Sequence, residues 1–221
     1  MSATRASSRA PGRRAGKAGA APDAGRVIAG SARGIRLDAA GPATRPLGDR
    51  LKQALFAMLE PELRERRVLD LFAGSGAAGI EALSRGASGA VFVESEGRAL
   101  QAIRSNLERC HLDGPSVSIE ATGVAQWLDR DASRAVAAGT FGLVLVDPPY
   151  DRVDLLTATL GRLGALDAAA YLDPEAIVVA KSFWRDAPPA SVGLLASERT
   201  RRFGETVLTI YRRVPRPAME A

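Results

Sequence analysis

The chain has 221 residues, 46% of them hydrophobic, and a single cysteine, Cys110. That length suits one full domain with a sizeable core plus tails. No apolar run reaches membrane-spanning length, so a soluble, cytoplasmic, globular protein is expected, and one cysteine excludes an internal disulfide and fits a reducing compartment.

Charge is placed unevenly. The formal net charge is +5, but residues 1–37 hold eight basic side chains against Asp23 alone, a net of +7 that leaves −2 for the remainder. A near-neutral body with a basic front predicts a local contact with a polyanion rather than a generally adhesive surface.

Residues 1–25 are rich in Ala, Gly, Ser, Pro and Arg and lack apolar periodicity, so they read as a disordered basic extension; their composition also fits a transit peptide. RVIAGSARGIRL, residues 26–37, places two short apolar stretches around Gly30 to Gly34, which predicts a small hairpin or extended arm bearing Arg26 and Arg33. Leu47, Leu51, Ala54, Leu55, Met58 and Leu59 then recur at helical spacing after Pro46, a residue favoured at a helix start. Arg45, Arg50, Lys52 and Gln53 lie off that stripe, where they are expected to meet solvent or an anion.

From residue 68 the pattern becomes strand, turn, helix, repeated. VLDLF (68–72), AVFVE (90–94), VSIE (117–120), LVLVD (143–147) and AIVVAKS (176–182) read as strands, with helical patterns in the first four gaps. Such alternation predicts a mainly parallel sheet covered by helices on both faces. GLLASERTRR, Phe203-Gly204 and ETVLTIYRR read instead as two strands and a tight turn, hence an antiparallel hairpin at the edge. The expected organisation is an arm and helix over 26–60, an α/β domain over 61–214 and a tail over 215–221.

The first strand of that domain leads into a glycine loop. LDLFAGSGAAGIEAL sets Gly74, Gly76 and Gly79 between strand and helix, and Glu94 ends the next strand about twenty residues on, the spacing of a dinucleotide fold. Glycines there let backbone approach a ligand closely, and Glu94 can accept both hydroxyls of a ribose. Asp70 discriminates among adenosine-bearing cofactors. A carboxylate just before the loop disfavours a pyrophosphate and favours a cationic group. S-adenosylmethionine, with its ammonium and sulfonium and no phosphate, suits Asp70, Phe72, Gly74, Gly76, Glu94 and Ser95 better than NAD does. Asp70 capping the glycine turn is the structural alternative.

The fourth strand ends in Asp147-Pro148-Pro149-Tyr150. Two prolines stop the strand and stiffen the turn that leads to Tyr150. In a doubly wound sheet the ends of the first and fourth strands face one crevice, which puts Asp147 beside the cofactor loop. An exocyclic amine of a nucleobase is a poor nucleophile because its lone pair is delocalised. Hydrogen bonds from its N–H groups to the Asp147 carboxylate and to a carbonyl of the proline turn free that lone pair, and the carboxylate stabilises the charge that grows on nitrogen. Tyr150 offers a stacking face for the unstacked base.

VLDLFAGSGAAGIEALSRGA together with LVLVDPPY resembles the class I S-adenosylmethionine-dependent methyltransferases of exocyclic amines. RVIAGSARGIRL followed by TRPLGDRLKQALFAML is similar, more narrowly, to the RsmD-type 16S rRNA (guanine-N2)-methyltransferases. The resemblance covers residues 26–213 and implies a Rossmann-like, seven-stranded sheet with a terminal antiparallel hairpin. It also implies S-adenosylmethionine as methyl donor without a metal, guanine in small-subunit rRNA as target, and a monomer that meets this rRNA within a ribosomal subunit or assembly intermediate. Asp147, Pro148 and Tyr150 then fall at the target amine, Asp70, Gly74 and Gly76 in the cofactor loop, and Glu94 on the ribose. Arg26, Arg33, Arg45, Asp49 and Arg50 match the family's rRNA-facing amino-terminal block.

Two positions depart from that pattern. Leu47-Gly48 replaces a hydroxyl pair, and Ala121-Thr122-Gly123 lacks an Asp or Asn, which leaves the contact to the cofactor's adenine edge unassigned.

Other readings are an adenine-N6 methyltransferase of DNA or RNA, a glutamine-N5 methyltransferase, a non-catalytic rRNA-binding assembly factor and an NAD-dependent oxidoreductase. The chain leaves no room for the added recognition domain of the first, and the early arginines oppose the second. Intact Asp147 and Tyr150 oppose the third, and Asp70 opposes the last. His111 beside Cys110 is expected at a helix end as a surface or capping residue, Trp127 on a packing face, and Trp184 in packing or at the edge of the base pocket.

Overall fold

The computed structural model describes residues 23–41, 48–130 and 139–214. The expectations for the basic extension before Asp23, for Arg45, Pro46 and Leu47, and for the tail after Val214 lie outside the described residues.

The chain opens with an antiparallel pair, β1 (Asp23–Arg26) and β2 (Arg36–Asp38), followed by helix α1 (Asp49–Leu63). Strands and helices then alternate: β3 (Arg67–Leu71), α2 (Ala77–Ser84), β4 (Gly89–Glu94), α3 (Gly97–Cys110), β5 (Val117–Ala121) and α4 (Val124–Arg130). After the next described strand, β6 (Phe141–Val146), come α5 (Val153–Leu163) and β7 (Leu172–Phe183). The antiparallel end consists of β8 (Ser191–Val192), β9 (Leu195–Phe203) and β10 (Thr206–Arg213).

These eight strands, β3 to β10, form one sheet in the order β5-β4-β3-β6-β7-β10-β9-β8. Seven match the expected number, and the eighth is the two-residue β8 on the outer edge of β9. The hairpin also sits differently from a simple edge addition. β10 returns between β7 and β9, so it is an inner strand with Val207 to Tyr211 buried, and the earlier β9 lies outside it. Five apolar or small residues in a row suit a strand covered on both faces, whereas the charged run Glu198 to Arg202 suits an edge.

Strand alternation divides the core into two layers. Val68, Ala90, Phe92, Leu143, Leu145, Ile177, Val179, Leu208 and Ile210 pack with α1, α2, α3 and the amino-terminal hairpin. Their neighbours Leu69, Leu71, Val91, Val93, Val144, Val146, Val178, Ala180 and Tyr211 pack with α4 and α5 on the opposite face. The period of two that marks a strand is thereby satisfied by apolar partners on both sides. Trp127 is buried at 1% exposure, edge-on to Phe141 and Tyr171, as a packing residue. His111 caps α3 in the left-handed conformation with φ +55°, on the exposed surface.

The amino-terminal hairpin shares this core rather than standing apart from it: Ala24, Val27, Ala32 and Leu37 join the α1-side layer. Polar ties fix it as well. Glu81 of α2, fully buried, accepts from the backbone N–H groups of Ile28 and Ala29 and from Arg85 Nε. Ser84 Oγ accepts from Ala32 N–H and donates to the Ala29 carbonyl. At the far end of the hairpin, Asn106 of α3 accepts from Asp38 N–H and donates to the carbonyls of Asp38 and Ser75, joining the arm to the glycine loop.

Candidate active site

β4 and β5 extend the sheet on one side of β3, while β6 and β7 extend it on the other. The strand order reverses at β3 and β6, and a ligand crevice is expected beyond the carboxyl ends of those strands. Asp147 N–H donates to the Leu71 carbonyl at 3.4 Å, which places Asp147 directly beside the start of the glycine loop. Neighbouring strands lie about 4.8 Å apart, so the acidic end of β6 adjoins the loop after β3.

The loop itself is shaped by its glycines. Gly74 has φ +56° with open space where a Cβ would stand, and Gly76 has φ +76° at the start of α2. Gly79 is different, since a Cβ there would meet the Phe92 ring at 2.4 Å and Asp70 Oδ2 at 2.9 Å. Gly74 and Gly76 therefore serve the turn and Gly79 serves helix-to-sheet packing. Phe72 also takes a left-handed conformation, φ +59°, a costly choice for a residue with a Cβ and one that clusters at functional sites.

Three carboxylates surround this loop. Asp70 is buried and its Oδ2 accepts from Gly79 N–H at 2.9 Å, so the turn-capping role is the one displayed. Burial pushes the Asp70 carboxyl up to about 8; the Gly79 bond opposes this, and the charges of Asp147 and Glu94 add to it. Glu94 Oε2 accepts from Gly74 N–H at 2.8 Å, and its Oε1 accepts from the N–H groups of Ser95 and Glu96 at 2.7 and 2.9 Å. A carboxylate has about four lone-pair sites, so a ribose would have to share or replace part of this set. After β5, Thr122 presents a buried Oγ1 with no hydrogen-bond partner among the described residues.

Asp147 has a partner that motif and spacing do not assign. Lys181 Nζ donates to Asp147 Oδ1 at 2.6 Å and stands 4.6 Å from the centre of the Tyr150 ring. The Asp147 side chain keeps 31% exposure, whereas that of Lys181 keeps 9%. Burial pushes the Asp147 carboxyl upward and the Lys181 ammonium only partly offsets it. For Lys181 burial acts downward, and the attraction of Asp147 and Tyr150 outweighs it, leaving the pKa raised. The signal was present in AIVVAKS, because a lysine inside an otherwise apolar strand needs a buried partner.

Tyr150 is half-buried, edge-on to Phe183 at 6.5 Å, with its hydroxyl 2.7 Å from Thr206 Oγ1. Beside it lies a cavity of about 400 Å³ lined by Gly48, Leu51, Tyr150, Lys181, Phe183, Glu205 and Thr206. Pro148 is buried at the turn and Pro149 is exposed. Trp184 does not line this cavity; the guanidinium groups of Arg185 and Arg202 stand 4.8 and 4.2 Å from the centre of its ring.

The described arginines of the amino-terminal block fall in two places. Arg26 forms an ion pair with Asp49 at 3.2 Å at the start of α1, where Arg50 is exposed. Arg33 lies on the hairpin turn, whose Ser31 N–H donates to the Ser84 carbonyl at the end of α2. Eight residues of helix, roughly 12 Å, separate that point from the glycine loop. Lys52 corrects the expectation of an outward-facing cation: it is fully buried, donates to the Arg26 carbonyl at 2.5 Å and lies 3.8 Å from Asp49 Oδ1. Its long stem fills space beneath the hairpin, which spacing along α1 alone cannot show.

A doubly wound sheet with a glycine loop after its first parallel strand, an acid after the second and an Asp-Pro-Pro-Tyr turn after the fourth defines the Rossmann-like methyltransferase class. Within that class, the family model described as "Conserved hypothetical protein 95" matches residues 25–212, and the chain belongs to this family. It is 37% identical over 194 residues to YlbH of Bacillus subtilis (strain 168), covering 85% of this chain and 98% of that one. The protein named "Ribosomal RNA small subunit methyltransferase D" of Escherichia coli (strain K12) is 32% identical over 191 residues, covering 85% and 89%. The solved structure of yhhF from Escherichia coli superposes with a TM-score of 0.72 at 30% identity, covering 86% of this chain and 97% of that one.

Proposed function

We infer that the chain methylates the exocyclic N2 amine of a guanine in small-subunit rRNA, with S-adenosylmethionine as donor. The observation that carries this reading is that Asp147 adjoins the start of the glycine loop through Leu71 and is held by Lys181, which with Tyr150 lines a cavity of about 400 Å³. Small-subunit rRNA as the target follows the name of the Escherichia coli relative, and the guanine N2 amine follows the resemblance carried by the amino-terminal block and the Asp-Pro-Pro-Tyr turn.

The residues present suit such a donor. Glu94 and Asp147 bring acidic groups to the loop region, and burial favours the protonated form of Asp70 unless a cation comes to meet it. A pyrophosphate would find three acidic side chains and no cation on the loop among the described residues; an ammonium or sulfonium finds complementary groups. Gly74, with no neighbour where a side chain would stand, leaves room for the aminoacyl part, and Glu94 and Ser95 lie where a ribose would be held. When bound, S-adenosylmethionine supplies an electrophilic methyl group and leaves as S-adenosylhomocysteine.

The base enters beside Tyr150, whose ring provides a stacking face worth about 1–3 kcal/mol. Asp147 accepts an N–H of the target amine through the oxygen that Lys181 leaves free, while the rigid Pro148-Pro149 turn offers a carbonyl to the other. As the nitrogen gains positive charge, the ionised carboxylate stabilises it more than it stabilises the neutral amine. Lys181 lowers the cost of ionising Asp147 and fixes its orientation. In this reading Arg26, paired with Asp49, and Arg50 of α1 meet the nearby phosphates, with the rRNA presented within a ribosomal subunit or its precursor to a monomeric enzyme.

Incubation with labelled S-adenosylmethionine and small-subunit rRNA, followed by digestion to nucleosides, is expected to give N2-methylguanosine. Label in N6-methyladenosine would redirect the target, and label in protein alone would refute the nucleic-acid reading.

A further inference from the structure

The sheet face that carries the base cavity continues outward as a row of cations. Cross-strand register aligns Lys181 with Leu208 and then Arg201, and Val179 with Ile210 and then Arg199. Directly paired residues project to the same face. Leu208 and Ile210 belong to the α1-side core, so Arg201 and Arg199 emerge on the side of α1 and Lys181. Arg201 is two strands from Lys181, roughly 10 Å along the sheet.

Both arginines are exposed, and neither side chain takes part in an ion pair or hydrogen bond among the described residues. Phe203, two residues nearer the cavity on the same face, pairs with Thr206, which pairs with Phe183 at the cavity lip. The far end of the row is closed by acids: Glu62 and Glu198 hold Arg212 at 2.9 and 3.1 Å. Arg199 and Arg201 thus form a short cationic track that leads out of the cavity and stops.

We propose that Arg199 and Arg201 on β9 are a second nucleic-acid contact, which grips the phosphates of the single-stranded segment flanking the target base and leads it away across the β7-β10-β9 face. This rests on the rRNA reading above and extends it. A base drawn out of its helix brings its own strand with it, and the flanking phosphates must then cross protein surface within a few nucleotides of the cavity. With Arg26 and Arg50 beside Asp49, next to the cavity-lining Gly48 and Leu51, the strand has cations near the extruded base as well as along β9. Exposed guanidinium groups suit this task because they bind phosphate oxygens bidentately and need no rearrangement of the fold.

The rival account is that these charges only protect an edge strand, since β8 pairs with Leu195 and Ala196, Ser197 N–H donates to the Ala190 carbonyl, and among the described residues no strand covers the outer side of β9 from Glu198 onward. Binding of an rRNA fragment containing the target guanine is to be measured against salt for the wild type, for R199A/R201A and for R64A/R104A. The last pair removes the same formal charge from exposed positions on the end of α1 and on α3. The log-log salt slope of R199A/R201A should fall by about 0.7 for each phosphate that these arginines neutralise. KM for RNA should rise severalfold with kcat and S-adenosylmethionine affinity unchanged, and R64A/R104A should keep the wild-type slope. An unchanged slope in R199A/R201A, or an equal loss in both double variants, would overturn the proposal while leaving the rRNA reading intact. A wild type that neither binds nor methylates the fragment would remove both together.

Discussion

Lys181 Nζ and Asp147 Oδ1 lie 2.6 Å apart, although the two residues belong to different strands and stand 34 positions apart in sequence. The pair has one catalytic member and one positioning member. The ammonium opposes the positive charge that grows on the target nitrogen, so its benefit must come from holding the carboxylate ionised and oriented.

Replacing Asp147 with Asn keeps an oxygen for Lys181 and removes the charge. Methyl transfer should fall by at least about 10²-fold, the scale of losing a preorganised electrostatic interaction, while S-adenosylmethionine still binds. Calorimetric titration alongside single-turnover kinetics separates the two effects. Retention of wild-type turnover would exclude the carboxylate mechanism.

Lys181→Met should raise the Asp147 pKa further, because the cation that draws it down is gone. The ionised form then requires a higher pH, so the acid limb of the kcat profile moves upward. Lys181→Arg retains the charge and should leave that limb nearer its original place. A purely packing role would lower activity in both variants without moving the limb.

Asp70 provides a linkage test. Folding raises its pKa to about 8, so its contribution favours the folded state at acid pH and is lost as pH rises from the ordinary carboxylate range through about 8. A cation bound beside it ionises the group, releases a proton and becomes a tighter ligand as pH rises through the same window. Titrations with S-adenosylmethionine at neutral pH, in two buffers of different ionisation enthalpy, should give different apparent enthalpies. In Asp70→Asn that difference should shrink; its persistence would assign the proton to another group.

Gly30→Ala tests the docking of the hairpin. A Cβ there would lie 1.7 Å from the Ser84 carbonyl oxygen at φ +87°, so the turn must leave α2 or distort. Gly34, at φ +88° with nothing within 4 Å, carries only the conformational cost. Gly30→Ala should therefore destabilise by roughly 1–3 kcal/mol more than Gly34→Ala, read as a larger fall in Tm. Equal effects would mean that the turn does not rest on Ser84.

Much of the site was legible because its chemistry is local. Gly74 and Gly76 act through backbone conformations set within one turn, Glu94 ends the adjoining strand, and the prolines after Asp147 stop a strand wherever they stand. The arginines and Lys52 were harder to place, since helical spacing shows which residues share a face but not what covers it. A hairpin lies over Lys52, and the turn bearing Arg33 reaches the far end of α2 instead of the crevice.

By itself, the order of residues determined the alternating α/β pattern, the glycine loop with its neighbouring acids, and the Asp-Pro-Pro-Tyr turn, because strand period, turn geometry and side-chain chemistry act over a few residues. Only the tertiary structure decided that β10 enters between β7 and β9, that Lys181 meets Asp147, and that Arg199 and Arg201 share a face with the base cavity. Those relationships depend on strand order and register, which are set by how the whole sheet buries its two faces.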